Sequence, residues 1–317
     1  MSRVAVVGAG AWGTALAVQA ARAGLGVTLW ARDPAPLRAA RASPRLPGAV
    51  LPEAVEVADE LPDAGFEAVL LAVPMQHLRA VAARLRPHAP LVACAKGVET
   101  GTGMVPLEVL AELHPGAPAA VLTGPNFAHE VAAGLPAAAV VAAEDAGLRA
   151  RLAGLLSGPG FRLYGSADPV GAQLGGAAKN VVAIAAGAVM GAGLGENARA
   201  ALITRGLAEL GRLVVASGGR AETVAGLSGL GDLLLTCTGP SSRNYSLGLA
   251  LGRGETLDAV LAGRTAATEG VATAPALVAR AAGVELPVCA AVAALLAGHT
   301  TLAQVMTALL ARPLRDE

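Results

Sequence analysis

A β-rich run, "RVAVV" at residues 3–7, passes directly into "GAGAWG" and then into the helical-looking stretch from Thr14 to Ala23. A strand feeding a glycine turn and a helix is the start of a βαβ unit, and little else accommodates it. The first glycine, Gly8, permits the tight turn; Gly10 lets the backbone approach a pyrophosphate; Gly13 lets the helix pack on the strand. The helix N-terminus offers unsatisfied N–H groups to an anion. Gly8, Gly10, Ala11, Trp12 and Gly13 are therefore candidate dinucleotide contacts. A glycine turn of some other α/β protein is the alternative, and the strand, spacing and helix together argue against it.

The second strand ends "VTLWARDP". Asp33, about 20 residues beyond Gly13, suits the ribose hydroxyls of NAD, whereas Arg32 suits the extra phosphate of NADP. Arg32 tilts the reading toward NADP. Asp33 suits equally well an N-cap on a helix starting at Pro34.

Further β-rich runs, "AVLLAV", "LVACA", "AAVLTG", "AAAVVAA" and "FRLYG", alternate with helical segments up to about Ser166. That rhythm predicts a mainly parallel, doubly wound Rossmann-type sheet with helices on both faces. Pro34 and Pro74 stand where proline can start a helix. From Asp168 to Arg312 the segments are of helical period, with Leu202, Leu207, Leu210, Leu213 and Val214 on one stripe and Val271, Leu277, Val278 and Ala281 on another. The expected division is an α/β dinucleotide-binding domain, 1–166, and an all-α domain, 167–317. The chain is 54% hydrophobic but 2% aromatic, with 40 Gly, so its cores must be filled by Ala, Val and Leu in close-packed elements.

The balance of 24 acidic and 24 basic residues gives no field that would recruit nucleic acid or an anionic membrane, and a small ligand is the expected partner. Cys94, Cys237 and Cys289 are far apart and form no CxxC, which points away from a disulfide framework or a zinc site and toward a reducing compartment. The N-terminus enters a strand at once, without the pattern of an export signal. The apolar run from Val181 to Leu194 is shorter than the roughly 20 residues that span a bilayer and reads as a buried helix.

Of the 24 Lys+Arg only two are lysines, Lys96 and Lys179, and each stands in an apolar or glycine-rich setting. Arginine stays charged in proteins, whereas a buried lysine can give up a proton. A few other polar groups lie in similar settings: the segment "TGPNFAHE" with Gly124, Asn126 and Ala128, then Asn180, Asp232 and Thr236 in "GLGDLLLTCT", and Ser242, Arg243 and Asn244. None of the five histidines lies in a signature that requires catalysis.

These segments, in order, resemble the NAD(P)-dependent glycerol-3-phosphate dehydrogenases. The resemblance covers nearly the whole chain and includes "GAQLGGAAKN" (171–180), "NARAALITRGLAE" (197–209), "GLGDLLLTCT" (229–238), "SRN" (242–244) and "TEGVATA" (268–274). It implies a C-terminal domain of the 6-phosphogluconate dehydrogenase C-terminal-like kind. It also implies reversible hydride transfer between NAD(P)H and C2 of dihydroxyacetone phosphate, giving sn-glycerol 3-phosphate.

By the same resemblance Lys179 exchanges the proton with the C2 oxygen, with Lys96 and Asp232 beside it in the catalytic set. Gly124, Asn126, Asn180, Thr236, Ser242, Arg243 and Asn244 would line the substrate, Arg243 reading its phosphate. Lys96, Ala128, Arg243 and Glu269 would meet the cofactor, beside the Arg32 read from its place after the second strand. Many members carry Ser or Thr where this chain has Asn126. A cytoplasmic homodimer serving phospholipid synthesis is the expected setting. The residues alone leave Asp232 open as an N-cap of the following helix. They also leave open a related two-domain reductase of another 2-oxo compound, and a non-catalytic NAD(P)-binding regulator.

Overall fold

The computed structural model describes residues 2–264 and 266–311; Thr265 and the expected end of the helical domain at 312–317 lie outside the described residues. Eight strands form one sheet: β1 (Arg3–Val7), β2 (Gly26–Trp30), β3 (Val55–Ala58), β4 (Ala68–Leu71), β5 (Leu91–Ala93), β6 (Ala119–Thr123), β7 (Ala137–Ala142) and β8 (Phe161–Ser166). Their order is β3-β2-β1-β4-β5-β6-β7-β8. All neighbours pair in parallel except β6 and β7, which are antiparallel.

Helices α1 (Ala11–Arg22), α2 (Ala35–Ala40), α3 (Met75–Ala82), α4 (Pro106–Leu113), α5 (Ala128–Ala133) and α6 (Ala146–Leu156) connect the strands. Separate hydrophobic clusters, around Val4, Val6 and Leu29 and around Val7, Leu71 and Leu78, line the two faces of the sheet. That explains the unbroken apolar runs: all four residues of β4 are buried. Chain order reverses between β1 and β4, the crevice where open α/β sheets bind ligands.

Strand β3 does not stand out in the sequence. Its residues run buried, exposed, buried and half-buried at the sheet margin, and Pro52 and Glu53 precede them as in a loop. Pro34 and Pro74 directly precede α2 and α3, and Asp33 makes no capping bond to α2.

Among the described residues no strand follows β8. The rest is helical: α7 (Pro169–Gly191), α8 (Gly195–Ala216), α9 (Ala221–Val224), a π-turn at Leu227–Gly231, α10 (Asp232–Cys237), α11 (Arg243–Gly252), α12 (Leu257–Ala262), α13 (Glu269–Arg280), α14 (Pro287–Leu296) and α15 (Leu302–Leu310). Both apolar stripes face the helical core, with Leu210, Leu213, Val214, Leu277 and Ala281 buried in it.

Helix α7 is the axis of this half. Asp168 caps its start, accepting from Gly171 N at 2.8 Å, and Pro169 occupies its first turn. The apolar run read at 181–194 is the second half of this helix, which ends at Gly191. With 23 residues α7 is long and apolar enough to cross a membrane, but 89% of its apolar window is buried inside the protein.

The Ala/Gly composition follows from how α7 meets α11. A Cβ on Gly187 would lie 2.0 Å from the Tyr245 carbonyl oxygen, and one on Gly248 would lie 1.9 Å from that of Ile184. The two helices therefore pack backbone against backbone.

Candidate active site

The N-terminal glycines meet the requirements of a dinucleotide cradle. Gly8, at φ +112°, turns the chain out of β1. A Cβ on Gly13 would lie 1.8 Å from the Gly8 carbonyl oxygen, so helix and turn touch there, whereas a Cβ on Gly10 would meet nothing within 4 Å. That open space borders the N-terminus of α1, which no side chain caps. The indole N–H of Trp12 is buried without a hydrogen-bond partner. Backbone donors facing space that only a glycine leaves free suit the pyrophosphate of a dinucleotide. Arg32 and Asp33 are both exposed just beyond β2.

The two lysines come from different halves of the chain and meet on one carboxylate. Lys96 lies just beyond β5, with Nζ 2.6 Å from Asp232 Oδ2 and 2.8 Å from the Gly124 carbonyl oxygen. Lys179, midway along α7, donates to Asp232 Oδ1 at 2.7 Å and to Thr236 Oγ1 at 2.9 Å. Asp232 is 0% exposed. It is the first residue of α10, Gly231 holds the cap position, and the carboxylate caps nothing. The capping reading of Asp232 fails because both carboxylate oxygens are taken by lysines.

Each ammonium has three N–H donors and spends two on these contacts, which leaves one for a ligand. Two cations on one carboxylate leave the cluster net positive, suited to a developing oxyanion. Burial lowers the pKa of Lys179 to about 8, with the Lys96 ammonium adding to the effect and Asp232 opposing it. Burial alone would raise the Asp232 pKa, yet the lysines hold it below the ordinary carboxylate value.

A chain of amides backs the cluster. Asn180 Nδ2 donates to the Lys96 carbonyl at 3.1 Å, Asn244 Nδ2 donates to Asn180 Oδ1 at 2.8 Å, and Gly270 N donates to Asn244 Oδ1 at 3.0 Å. Ser242 Oγ accepts from Tyr245 N as the N-cap of α11. That cap starts the helix at Arg243, whose guanidinium is exposed and donates to the Ala267 carbonyl at 2.7 Å. Half-buried Glu269 accepts from Met75 N at 3.2 Å, at the start of α3, and burial raises its pKa.

Asn126 donates from Nδ2 to the Ala138 carbonyl at 3.2 Å, leaving Oδ1 buried without a partner. The amide oxygen is thus a free acceptor, on a longer side chain than the hydroxyl that many family members carry there. The fold thus joins Lys96, Gly124, Lys179, Asn180, Asp232, Thr236 and Asn244 in one network. Arg32, Asn126 and Ala128 take no part in those hydrogen bonds. Sequence reasoning missed Thr123: its buried hydroxyl has no partner and would lie 2.9 Å from a Cβ on Gly176, beside the Lys96 stem. It is the last residue of β6 and the first of the "TGPNFAHE" segment, which is the signal the sequence carries.

Comparison with known proteins covers both halves. Residues 3–149 match the family model for the NAD-dependent glycerol-3-phosphate dehydrogenase N-terminus, and residues 168–307 match that for its C-terminus. The chain is 54% identical over 316 residues to a glycerol-3-phosphate dehydrogenase (NAD(P)+) of Gluconobacter oxydans, covering 98% of this chain and 97% of the relative. It is 58% identical over 319 residues to the enzyme of the same name in Acidiphilium cryptum, covering 99% and 98%. A crystal structure of glycerol-3-phosphate dehydrogenase from Coxiella burnetii superposes with a TM-score of 0.93 at 37% identity, covering 98% of this chain and 99% of that one.

Proposed function

The chain belongs to the NAD-dependent glycerol-3-phosphate dehydrogenase family, and from that premise we propose that Lys179 is its proton-transfer residue, with Lys96 and Asp232 setting its charge. The protein is an NAD(P)-dependent oxidoreductase that interconverts dihydroxyacetone phosphate and sn-glycerol 3-phosphate. NAD(P)H, when bound, supplies the hydride. Gly8, Gly10, Ala11, Trp12 and Gly13 hold its pyrophosphate, with Arg32, Ala128 and Glu269 along its length.

The observation that carries this reading is the buried carboxylate shared by two ammoniums at 2.6 and 2.7 Å. In the reducing direction the Lys179 ammonium donates a proton to the C2 oxygen and Lys96 stabilises the charge that gathers there. In the oxidising direction neutral Lys179 takes the proton back. A lysine with a pKa of about 8 serves both directions near neutral pH. Arg243 and Asn244 read the phosphate, the guanidinium fork being suited to bidentate contact.

We place the functional division at 1–166 and 167–317 and assign the enzyme to the cytoplasm, as a homodimer that supplies glycerol phosphate for phospholipid synthesis. The test is direct: purified protein should oxidise NADH or NADPH when dihydroxyacetone phosphate is added, and far more slowly with unphosphorylated dihydroxyacetone. No oxidation with either cofactor overturns the reading. Equal rates on both substrates would remove Arg243 and Asn244 from phosphate recognition.

A further inference from the structure

Lys96 belongs by sequence to the nucleotide half, yet the segment that follows it is packed into the helical half. Val98 is 0% exposed and Val105 3%, and both lie in the core built by α7, α8, α13 and α14. Gln173 of α7 accepts from Leu107 N at 2.7 Å. Helix α13 runs along the same segment. Near its start Glu269 holds Met75 N, and one turn on Thr273 lies against Gly97, where a Cβ would come within 3.0 Å of its hydroxyl.

At the far end of α13, Arg280 forks onto Glu108 with both contacts at 2.7 Å and donates to the Gly103 carbonyl at 2.8 Å. Glu108 in turn accepts from Val105 N at 2.9 Å. A bidentate, partly buried guanidinium–carboxylate pair is a geometrically specific anchor. It joins the helical half to the segment that carries Lys96, beside the Lys96–Asp232 ion pair itself.

We infer that Arg280 is a positioning residue for Lys96: by gripping Glu108 and Gly103 it fixes the Lys96–Val105 segment to the helical domain, the domain that also carries Asp232 and Lys179. The segment is also held from the nucleotide half, where Arg79 of α3 forks onto Glu99 with two contacts at 2.9 Å, so Arg280 supplies the matching grip from the helical side and seats Lys96 over Asp232. The inference rests on the proton-transfer reading of Lys179, because Lys96 acts on that residue. Lys179 faces Asp232 and Cys237 on α10 and Lys96 on the loop, and the Lys96 ammonium is one of the groups that hold its pKa down.

The test compares the wild-type enzyme with Arg280→Met, Arg280→Lys and Glu108→Gln. Kinetics of dihydroxyacetone phosphate reduction are followed against pH, and cofactor binding by tryptophan fluorescence. Displacing a reacting group by about 1 Å can cost about 10²-fold; because the contacts of Lys96 to Asp232, Gly124 and Asn180 limit its displacement without abolishing it, Arg280→Met should lose about three- to tenfold in kcat. Its alkaline limb should move above that of the wild-type enzyme measured alongside it, because the Lys96 ammonium helps to hold the Lys179 pKa down. Cofactor affinity should stay within about twofold, and Arg280→Lys should recover part of both losses.

A folded Arg280→Met enzyme with unchanged kcat and limb overturns the inference. So does a fall in kcat with no movement of the limb, which reports general loosening. If Arg280→Met does not fold, Glu108→Gln decides: it can still cap Val105 but loses the charged fork, and its limb must move the same way. A wild-type enzyme with no limb near pH 8 would instead fail the Lys179 reading itself.

Discussion

The nucleotide sheet and the helical half supply the site in different currencies. From the sheet come mostly backbone and space: the Gly10 opening, the uncapped start of α1, and the Gly124 carbonyl under Lys96. From the helices come side chains: Lys179, Asp232, Thr236 and the amides of Asn180 and Asn244. Within the site Lys96 crosses from the first to the second, where its ammonium meets Asp232. Cofactor binding and proton transfer should therefore be separable by mutation, and each half offers ways to break that separation.

The largest effect belongs to the helical half. Lys179→Met should lower kcat by about 10²–10⁴-fold, the usual worth of a general acid, with cofactor affinity within about twofold by fluorescence titration. A comparable loss of cofactor affinity would show that the two halves are not separable.

Asp232→Asn should come next, at about 10²-fold in kcat. The carboxylate opposes the fall in the Lys179 pKa, so its removal should carry the Lys179 limb below about 8 in a pH–rate profile. A limb that rises would mean that Asp232 does not pair with Lys179 in solution.

Gly10→Val should do the reverse of Lys179→Met. The added side chain meets no protein atom within 4 Å at its Cβ, so the fold should tolerate it, and it occupies the proposed pyrophosphate space. Cofactor affinity should fall about tenfold or more, about 1.4 kcal/mol, while the Lys179 limb stays in place. Gly187→Leu touches neither cofactor nor reacting groups. It should destabilise by ~1–3 kcal/mol in denaturant unfolding through the crowded α7–α11 contact.

The same contrast governs what could be read in advance. Strands β1 and β4 are legible because they are apolar on both faces, and β1 announces its turn with three spaced glycines. β3 was not, being short, marginal and alternating. The helical half shows its period but not its contacts. Lys96 and Lys179 stood out as the only lysines, yet 83 residues separate them, and only the fold brings both to Asp232.

Whether Asp232 caps a helix or pairs with lysines depends on its carboxylate direction, which spacing does not encode. Thr123 opens the "TGPNFAHE" segment, but the spacing does not encode that its hydroxyl is buried without a partner beside Lys96. The Arg280–Glu108 anchor joins residues 172 apart, each an ordinary helix charge in the sequence.

The central claim is that Lys179 carries the proton at a pKa set by burial, Lys96 and Asp232. It is tested most directly by the pH dependence of kcat in both directions with saturating cofactor. Reduction needs the ammonium, so its rate should fall as pH rises through about 8; oxidation needs the neutral amine, so its rate should rise through the same value. Opposite limbs centred on one pKa are the predicted result. Limbs of the same sign, or a pair that persists unchanged in Lys179→Met, would contradict it.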